Sequence, residues 1–356
     1  MKIRRKGKIS KIGRKVKSAL TYLDAGVNLD RAGEIKQKIK EIASGTLSHR
    51  VLQGVGPFSA VLEVESGRVM LATCDGVGTK TLLSLKYGKV KELGYDLVAM
   101  NVNDILAMHG EPEFFLDYIG LNSLDEFDIL EFIEGVAEAC KVSGCSLVGG
   151  ETAQMKGFYS KGAVELVGFC IGFANPENLP RIEDVKKGDV VFAFPSSGIH
   201  SNGFSLMRKL VEKGLLKMNS NFRGKKLYEI ILRPTRIYVR DFFSLVEKVG
   251  YPKVSAHITG GGIPENLGRV IPDGFSAFIS VKKLQEIQEN FADGIFDLIS
   301  KFVEEDEMRR VFNLGIGFAM VFSSEISDKI RSYSSDLGVF EVGYIDDFAG
   351  SKVLFI

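Results

Sequence analysis

Six consecutive residues, Asp75-Gly-Val-Gly-Thr-Lys80, bring a carboxylate, two glycines, a hydroxyl and an ammonium into one short loop. Those groups suit a metal-bound polyphosphate. Asp75 supplies an oxygen ligand for Mg²⁺, the backbone N–H groups at Gly76 and Gly78 face phosphate, and Thr79 and Lys80 add a hydroxyl and a counter-charge. The spacing is not G-x-x-x-x-G-K-[ST], so this is not a Walker A loop, and a tight strand-to-helix turn is the competing reading. Asn101 and Asp104, three apart on an expected helix, share a face and can present oxygens beside Asp75. Met100, Val102, Ile105 and Met108 make that segment look packed on several sides, and a packed carboxylate needs a partner or a cation. Asp117 lies inside the apolar run Phe114–Leu121, and Glu151 follows two glycines at a strand end. Asp75, Asn101, Asp104 and Glu151 form the candidate metal group, with Asp117 beside the nucleotide.

A second set of loops is neutral. Pro195-Ser-Ser-Gly-Ile-His-Ser-Asn-Gly203 and Thr259-Gly-Gly-Gly262 each join an expected strand to an expected helix. Backbone N–H groups and a helix dipole at such places favour an anion, and a second phosphate is the natural guest. Of four histidines, His200 is best placed for acid/base work, whereas His49, His109 and His257 fit surface or packing roles.

The elements that must position these loops are strands and helices in alternation. Helical propensity rises over Arg31–Ile42, and a hairpin is expected from Ser59–Val64 and Val69–Cys74 around Glu65-Ser-Gly67. A helix over Tyr95–Met108, a strand over Phe114–Leu121 and a helix opened by the capping-box sequence Ser123-Leu-Asp-Glu126 follow. Cys145–Val148 and Ala163–Ala174 are further strands. Asn175–Pro180 is the best domain boundary, which gives an arm over 1–18, a first domain over 19–175 and a second over 181–356. Val190–Phe194, Val254–Ile258, Phe312–Phe322 and Val353–Ile356 are strands of the second domain. The fold class is α/β, or mixed α+β.

The 46 Lys and Arg nearly balance the 45 Asp and Glu, but nine cations and no acid fall in residues 1–18. The remainder carries 37 cations against 45 anions. An acidic body argues against broad nucleic-acid binding, which needs a continuous basic surface. No apolar run approaches the roughly 20 residues of a membrane span, and the first residues lack the apolar core of a secretory signal, so a cytoplasmic location is expected. Cys74, Cys140, Cys145 and Cys170 show no C-x-x-C spacing and are expected to be free, mostly buried thiols.

Tyr22-Leu-Asp-Ala-Gly-Val27, Asp75–Lys80, Asn101-Val-Asn-Asp104, Phe115-Leu-Asp-Tyr118, Gly144–Thr152, Ser196–Gly203, Pro234-Thr-Arg-Ile-Tyr238 and Thr259–Gly262 occur in that order. The ordered set resembles the phosphoribosylformylglycinamidine cyclo-ligase (aminoimidazole ribonucleotide synthetase) family over about residues 21–356. The resemblance implies a two-domain ATP-dependent synthetase fold, a homodimer formed through first-domain strands, and use of ATP and Mg²⁺ to close formylglycinamidine ribonucleotide to 5-aminoimidazole ribonucleotide. It further implies that Lys40, Gly54 and Gly56 belong to a cover over the nucleotide, and that Ser197, Gly198, His200, Asn202, Gly260, Gly261 and Gly262 face the substrate, with His200 and Lys40 as catalytic candidates. Leu23 departs from the family, which often has Lys there, and the basic arm lies outside its pattern. A small-molecule phosphotransferase of the same superfamily and a non-enzymatic maturation or scaffold protein are the alternatives at this point.

Overall fold

The computed structural model describes residues 20–64 and 67–356; the basic arm lies outside them. The first helix among the described residues is α1 (Leu29–Ser44), capped by Asn28, whose side chain accepts from the Arg31 N–H. Six strands then build one sheet: β1 (Val51–Gln53), β2 (Ala60–Glu63), β3 (Val69–Gly76), β4 (Glu111–Leu121), β5 (Ser146–Gln154) and β6 (Val164–Ala174), in the order β1-β2-β3-β6-β4-β5. Only β4 and β5 are parallel; they are joined by α4 (Ile129–Ser143), as a crossover requires. The helix start differs from expectation. Ser123–Glu126 forms a short 3₁₀ turn, and Asp128 caps α4 by accepting from the Glu131 N–H. Glu126 instead ties loops together, accepting from the Asn122 amide and the Gly162 N–H.

Alternation along β6 buries Val164, Leu166, Gly168, Cys170, Gly172 and Ala174 on one face. That face is covered by α3 (Val90–Ala107), which follows the short α2 (Lys80–Lys86). Fourteen of the eighteen residues of α3 are buried, because the helix is enclosed by β3, β4, β6 and α4 on one side and by second-domain elements on the other. A helix surrounded in this way loses its polar face. Close crossing of α3 and α4 requires glycine at the contact: a Cβ on Gly94 would lie 2.5 Å from the Phe132 carbonyl oxygen, and one on Gly135 would lie 2.1 Å from that of Lys91.

Two 3₁₀ turns, Pro176–Asn178 and Ile182–Asp184, lead to the second sheet. Its strands are β7 (Val190–Pro195), β10 (Val254–His257), β11 (Phe275–Ile279), β12 (Ile316–Phe322), β13 (Phe340–Asp347) and β14 (Val353–Phe355), in the order β10-β12-β7-β13-β11-β14. The strands β8 (Asn221–Phe222) and β9 (Lys225–Lys226) pair as a separate hairpin. β7 and β12 are buried at every position, as central strands covered on both faces should be. Helices α5 (Phe204–Glu212), α6 (Leu227–Ile231), α7 (Val239–Val249) and α8 (Gly262–Gly268) follow, with α5 and α8 entered directly from the two glycine-containing loops. Apolar side chains of both sheets belong to one continuous buried core. No helix among the described residues is long and apolar enough to cross a membrane.

Candidate active site

Strand register explains how the first-domain acids are arranged. Asp75, Gly168, Asp117 and Gly150 stand opposite one another across β3, β6, β4 and β5. Both carboxylates therefore share the α3 side of the sheet. Asn101 lies over the glycine between them: a Cβ on Gly168 would be 2.6 Å from its Nδ2. The Asn101 side chain is engaged at both ends. Its Oδ1 accepts from the Asp75 N–H at 2.9 Å, and its Nδ2 donates to the carbonyls of Asp75 and Leu97. Asn101 thus braces the Asp75 backbone from α3.

Asp104, one helical turn further along α3, accepts at Oδ1 from His257 Nδ1 at 2.8 Å. Asp75 also accepts from the Gly76 N–H at 2.7 Å. Burial pushes the Asp75 carboxyl up to about 6, and the neighbouring Asp104 charge adds to the shift. Asp117, pushed up to about 6 by burial alone, shares that strained solvation without a charged neighbour. Two oxygen donors that repel each other at a domain boundary fit a hard cation that keeps several of its ligands as water or phosphate oxygen. Among the described residues, no cluster of three or more His, Cys, Asp or Glu side chains forms a ready-made metal site. Glu151 does not join the pair. It stands opposite Tyr118, one residue past the Asp117 row, so strand alternation turns it to the other face of the sheet.

Lys80 is a clear correction. Its ammonium is wholly buried and donates to Asp96 Oδ1 at 2.9 Å and to the Arg233 carbonyl at 2.7 Å, with Asp96 Oδ2 2.7 Å away. Buried in this way, the ammonium faces Asp96 and the Arg233 backbone and not an open phosphate site. Gly76 sits where a Cβ would be 2.9 Å from the Leu166 carbonyl, and Gly78 adopts φ +66°, which a side chain would resist. Thr79 is exposed, with its hydroxyl 3.2 Å from that of Ser205 at the start of α5.

Beneath α1 and the Gln53–Phe58 segment, where the resemblance implied a cover, lies a cavity of about 360 Å³. Lys40, Gln53 and Gly56 line one side, Arg269 and Val270 another, and Met108, one turn beyond Asp104, closes it together with Pro180 and Ile182 of the linker. Gly56 has φ +142°, and a Cβ there would lie 3.5 Å from Lys40 Nζ. Gly54 packs on Leu47 outside the lining. Arg269 stacks over the Phe58 ring at 4.8 Å, and Lys36 reaches Glu265 at 3.6 Å, so α1 and the Gln53–Phe58 segment lean on α8.

In the second domain, His200 is held rather than free. It is buried at φ +58°, and its Nε2 accepts from the N–H groups of Ser197 at 3.1 Å and Arg236 at 3.5 Å. Burial, reinforced by the His257, Lys80 and Arg236 charges, depresses its pKa well below the ordinary histidine value. The proton sits on Nδ1, which has no partner among the described residues. Through Nε2, His200 braces its own loop against the Arg236 backbone. Ser197 donates its hydroxyl to the Pro234 carbonyl at 2.6 Å, and Gly198 accepts from the Asn313 amide at 2.9 Å. Asn202 carries a buried Nδ2 with no partner among the described residues, and its Oδ1 lies 3.7 Å from where a Cβ of Gly260 would be, so the two neutral loops meet at this residue. Gly261 and Gly262 have φ +91° and +61°; a Cβ on Gly262 would strike the Arg309 carbonyl. The Asn266 amide donates to the carbonyls of Thr259, Gly260 and Gly262 and shapes that loop.

Asp96, His257, Thr235 and Asn266 carry much of this arrangement; the sequence did not single out Asp96 or Asn266, offered Thr235 only inside the Pro234–Tyr238 motif, and gave His257 a surface or packing role. Asp96 satisfied the same criterion that drew attention to Asp104, an acid inside a packed helical segment. The four cysteines are free thiols, three of them buried and Cys74 exposed, in line with the expectation of mostly buried thiols.

Residues 57–174 match the model of the AIR synthase related protein N-terminal domain, and residues 186–354 that of the C-terminal domain. A phosphoribosylformylglycinamidine cyclo-ligase of Neisseria gonorrhoeae is 39% identical over 343 residues, covering 94% of this chain and 98% of that protein. One of Nitrosospira multiformis is 41% identical over 314 residues, covering 87% and 88%. Among solved structures, AaThiL complexed with AMPPCP and TMP superposes with a TM-score of 0.61 at 20% identity, covering 89% of this chain and 91% of that one, a likeness of fold. With both domain models in sequence order and nearly full-length similarity to named cyclo-ligases, the chain belongs to the phosphoribosylformylglycinamidine cyclo-ligase family.

Proposed function

We propose that the protein closes the imidazole ring of formylglycinamidine ribonucleotide, using ATP and releasing ADP and phosphate, to give 5-aminoimidazole ribonucleotide in purine biosynthesis. The observation that carries this reading is the roughly 40% identity to named cyclo-ligases over nearly the whole chain. The formyl amide oxygen is a poor leaving group. ATP transfers its γ-phosphoryl to that oxygen, the neighbouring amidine nitrogen attacks the activated carbon, and the phosphorylated oxygen departs as inorganic phosphate. Such chemistry relies on positioning and charge neutralisation more than on a protein nucleophile.

Asp75 and Asp104 are the residues that would hold Mg²⁺, which when bound neutralises phosphate charge. Lys40 and Arg269 give the cavity beneath α1 two cations for the nucleotide phosphates. The loops Ser197–Gly203 and Thr259–Gly262 present backbone N–H groups to the ribonucleotide phosphate, and the unpartnered Asn202 amide is a donor for the substrate. Ring closure requires the two groups of loops to meet, and the 3.2 Å approach of the Thr79 and Ser205 hydroxyls supports that reading.

A homodimer is supported by the uncovered face of the first sheet. Leu116 lies opposite Phe169, and Phe114 opposite Ile171, on the side away from α3. Phe114 and Phe169 are about 40% exposed there, too apolar a patch for open solvent. The composition, and the lack of a membrane-length helix among the described residues, support a cytoplasmic enzyme. Release of ADP that depends on formylglycinamidine ribonucleotide, measured with purified protein and Mg²⁺, tests this function; ADP release that ignores that substrate and follows another small molecule favours a phosphotransferase.

A further inference from the structure

The oxygens of Asp96 are a meeting point for three separate segments. Lys80 reaches them from the end of the Asp75 loop. Ser201 donates its hydroxyl to Oδ1 at 3.0 Å from the His200 loop. Thr235 donates both its N–H and its hydroxyl to Oδ1 at 2.7 Å from the Pro234–Tyr238 segment. Lys80 closes the circuit by donating to the Arg233 carbonyl. Neither charged side chain is exposed. A buried ion pair of this kind contributes little net stability compared with an apolar pair of the same volume, so its place between segments of the two domains points to what it orients.

We infer that Lys80 and Asp96 are positioning residues, a buried latch that fixes the first-domain nucleotide loop at a set distance from the second-domain substrate loop. This rests on the reading of the two loops given above. Asp96 binds neither substrate. It holds the lysine that begins α2, immediately after Thr79, and the serine immediately after His200. Thr79 and Ser205, 3.2 Å apart through their hydroxyls, mark the same contact at the surface. A shift of about 1 Å between reacting groups costs on the order of 100-fold in rate even when each partner still binds.

Two double variants separate this role from simple structural support. Lys80→Met with Asp96→Asn removes both charges together, leaving the Asn carbonyl oxygen as acceptor for Thr235. Ser201→Ala with Thr235→Val keeps the ion pair and loosens its second-domain side, so it remains informative if the first variant fails to fold. The latch predicts that each pair lowers kcat by about 100-fold while KM for ATP and for the ribonucleotide stays within about threefold. Combined, the four changes should cost much less than the product of the two effects, because both pairs break one coupling. Hydrogen exchange should quicken in segments 197–203 and 233–238 of each variant, whatever substrate the enzyme uses. An inactive wild type with quickened exchange in the variants would contradict the proposed substrate and leave the latch standing. Unchanged exchange, or a rise confined to KM for ATP with kcat intact, would overturn the latch and return Lys80 to the phosphates.

Discussion

His257 of β10 points Nδ1 at Oδ1 of Asp104 on α3, 2.8 Å away across the boundary between the two domains. The contact links the second sheet to the carboxylate pair of the first, because the Asp104 charge is one of the causes that raise Asp75. Asp104→Asn removes that charge and leaves burial as the dominant cause, so the Asp75 carboxyl should move down from about 6 toward the ordinary range. Carboxyl NMR titration of the variant reads this directly. Turnover at saturating ATP and Mg²⁺ should fall about 100-fold, the size expected when one group aimed at developing charge is lost. An unchanged rate removes Asp104 from the metal group.

Gly168→Ala tests the bracing of Asp75 from the opposite side. Its Cβ would be 2.6 Å from Asn101 Nδ2 and from Phe115 Cζ, with no flexible tip to yield. Overpacking of this kind should cost about 1–3 kcal/mol in denaturant unfolding, and turnover should fall further than stability alone explains because the Asn101 contacts to Asp75 are disturbed. Gly33→Ala is the matched control. Nothing lies within 4 Å of its Cβ on α1, so it should be neutral or stabilising by about 0.5–1 kcal/mol.

His109 predicts a pH dependence of stability. It is buried at φ +61°, with Nδ1 2.7 Å from the Asn178 carbonyl and Nε2 3.0 Å from the Ser255 hydroxyl. Burial pushes its pKa down to about 4. Between about pH 4 and pH 6.5 the unfolded chain binds a proton that the native imidazole refuses, so stability rises with pH across that window and this contribution is flat above it. The full contribution is about 3 kcal/mol. His109→Asn, which tolerates the positive φ, should lose that part of the slope when urea unfolding is followed from pH 4 to pH 7. Parallel slopes for the two proteins would show that His109 is not the group responsible.

Lys40→Ala should raise KM for ATP by about tenfold and leave kcat nearly unchanged, the pattern of a group that binds ground state and transition state alike. Steady-state kinetics with ATP varied would show it. A fall in kcat at saturating ATP would give Lys40 a place in the chemistry itself.

The sequence located the pieces of the site better than it located their orientations. Alternating apolar residues marked β3, β4 and β6, and the glycines marked the loops, because periodicity and backbone freedom are local properties. Glu151 was misplaced because its direction depends on the register of β5 against β4, which no local pattern reveals. Lys80 and His200 have the side chains of phosphate and proton chemistry, yet Asp96 and Arg233 hold the Lys80 ammonium and the N–H groups of nearby Ser197 and distant Arg236 hold His200 Nε2. Asp96 and His257 were passed over because an acid in an apolar helix and a histidine in an apolar strand acquire meaning only when α3 and β10 pack against each other. The start of α4 was misread for a smaller reason: Asp128 outcompeted Ser123 as its cap.

Formation of the aminoimidazole product is the most direct test of the central claim. Purified protein, ATP, Mg²⁺ and formylglycinamidine ribonucleotide are incubated, and diazo coupling reports the aromatic amine while ADP is measured in parallel. The account predicts one aminoimidazole ribonucleotide per ADP, with no amine formed when ATP is omitted. ADP formed without the amine, alongside a phosphorylated product of some other metabolite, would contradict it.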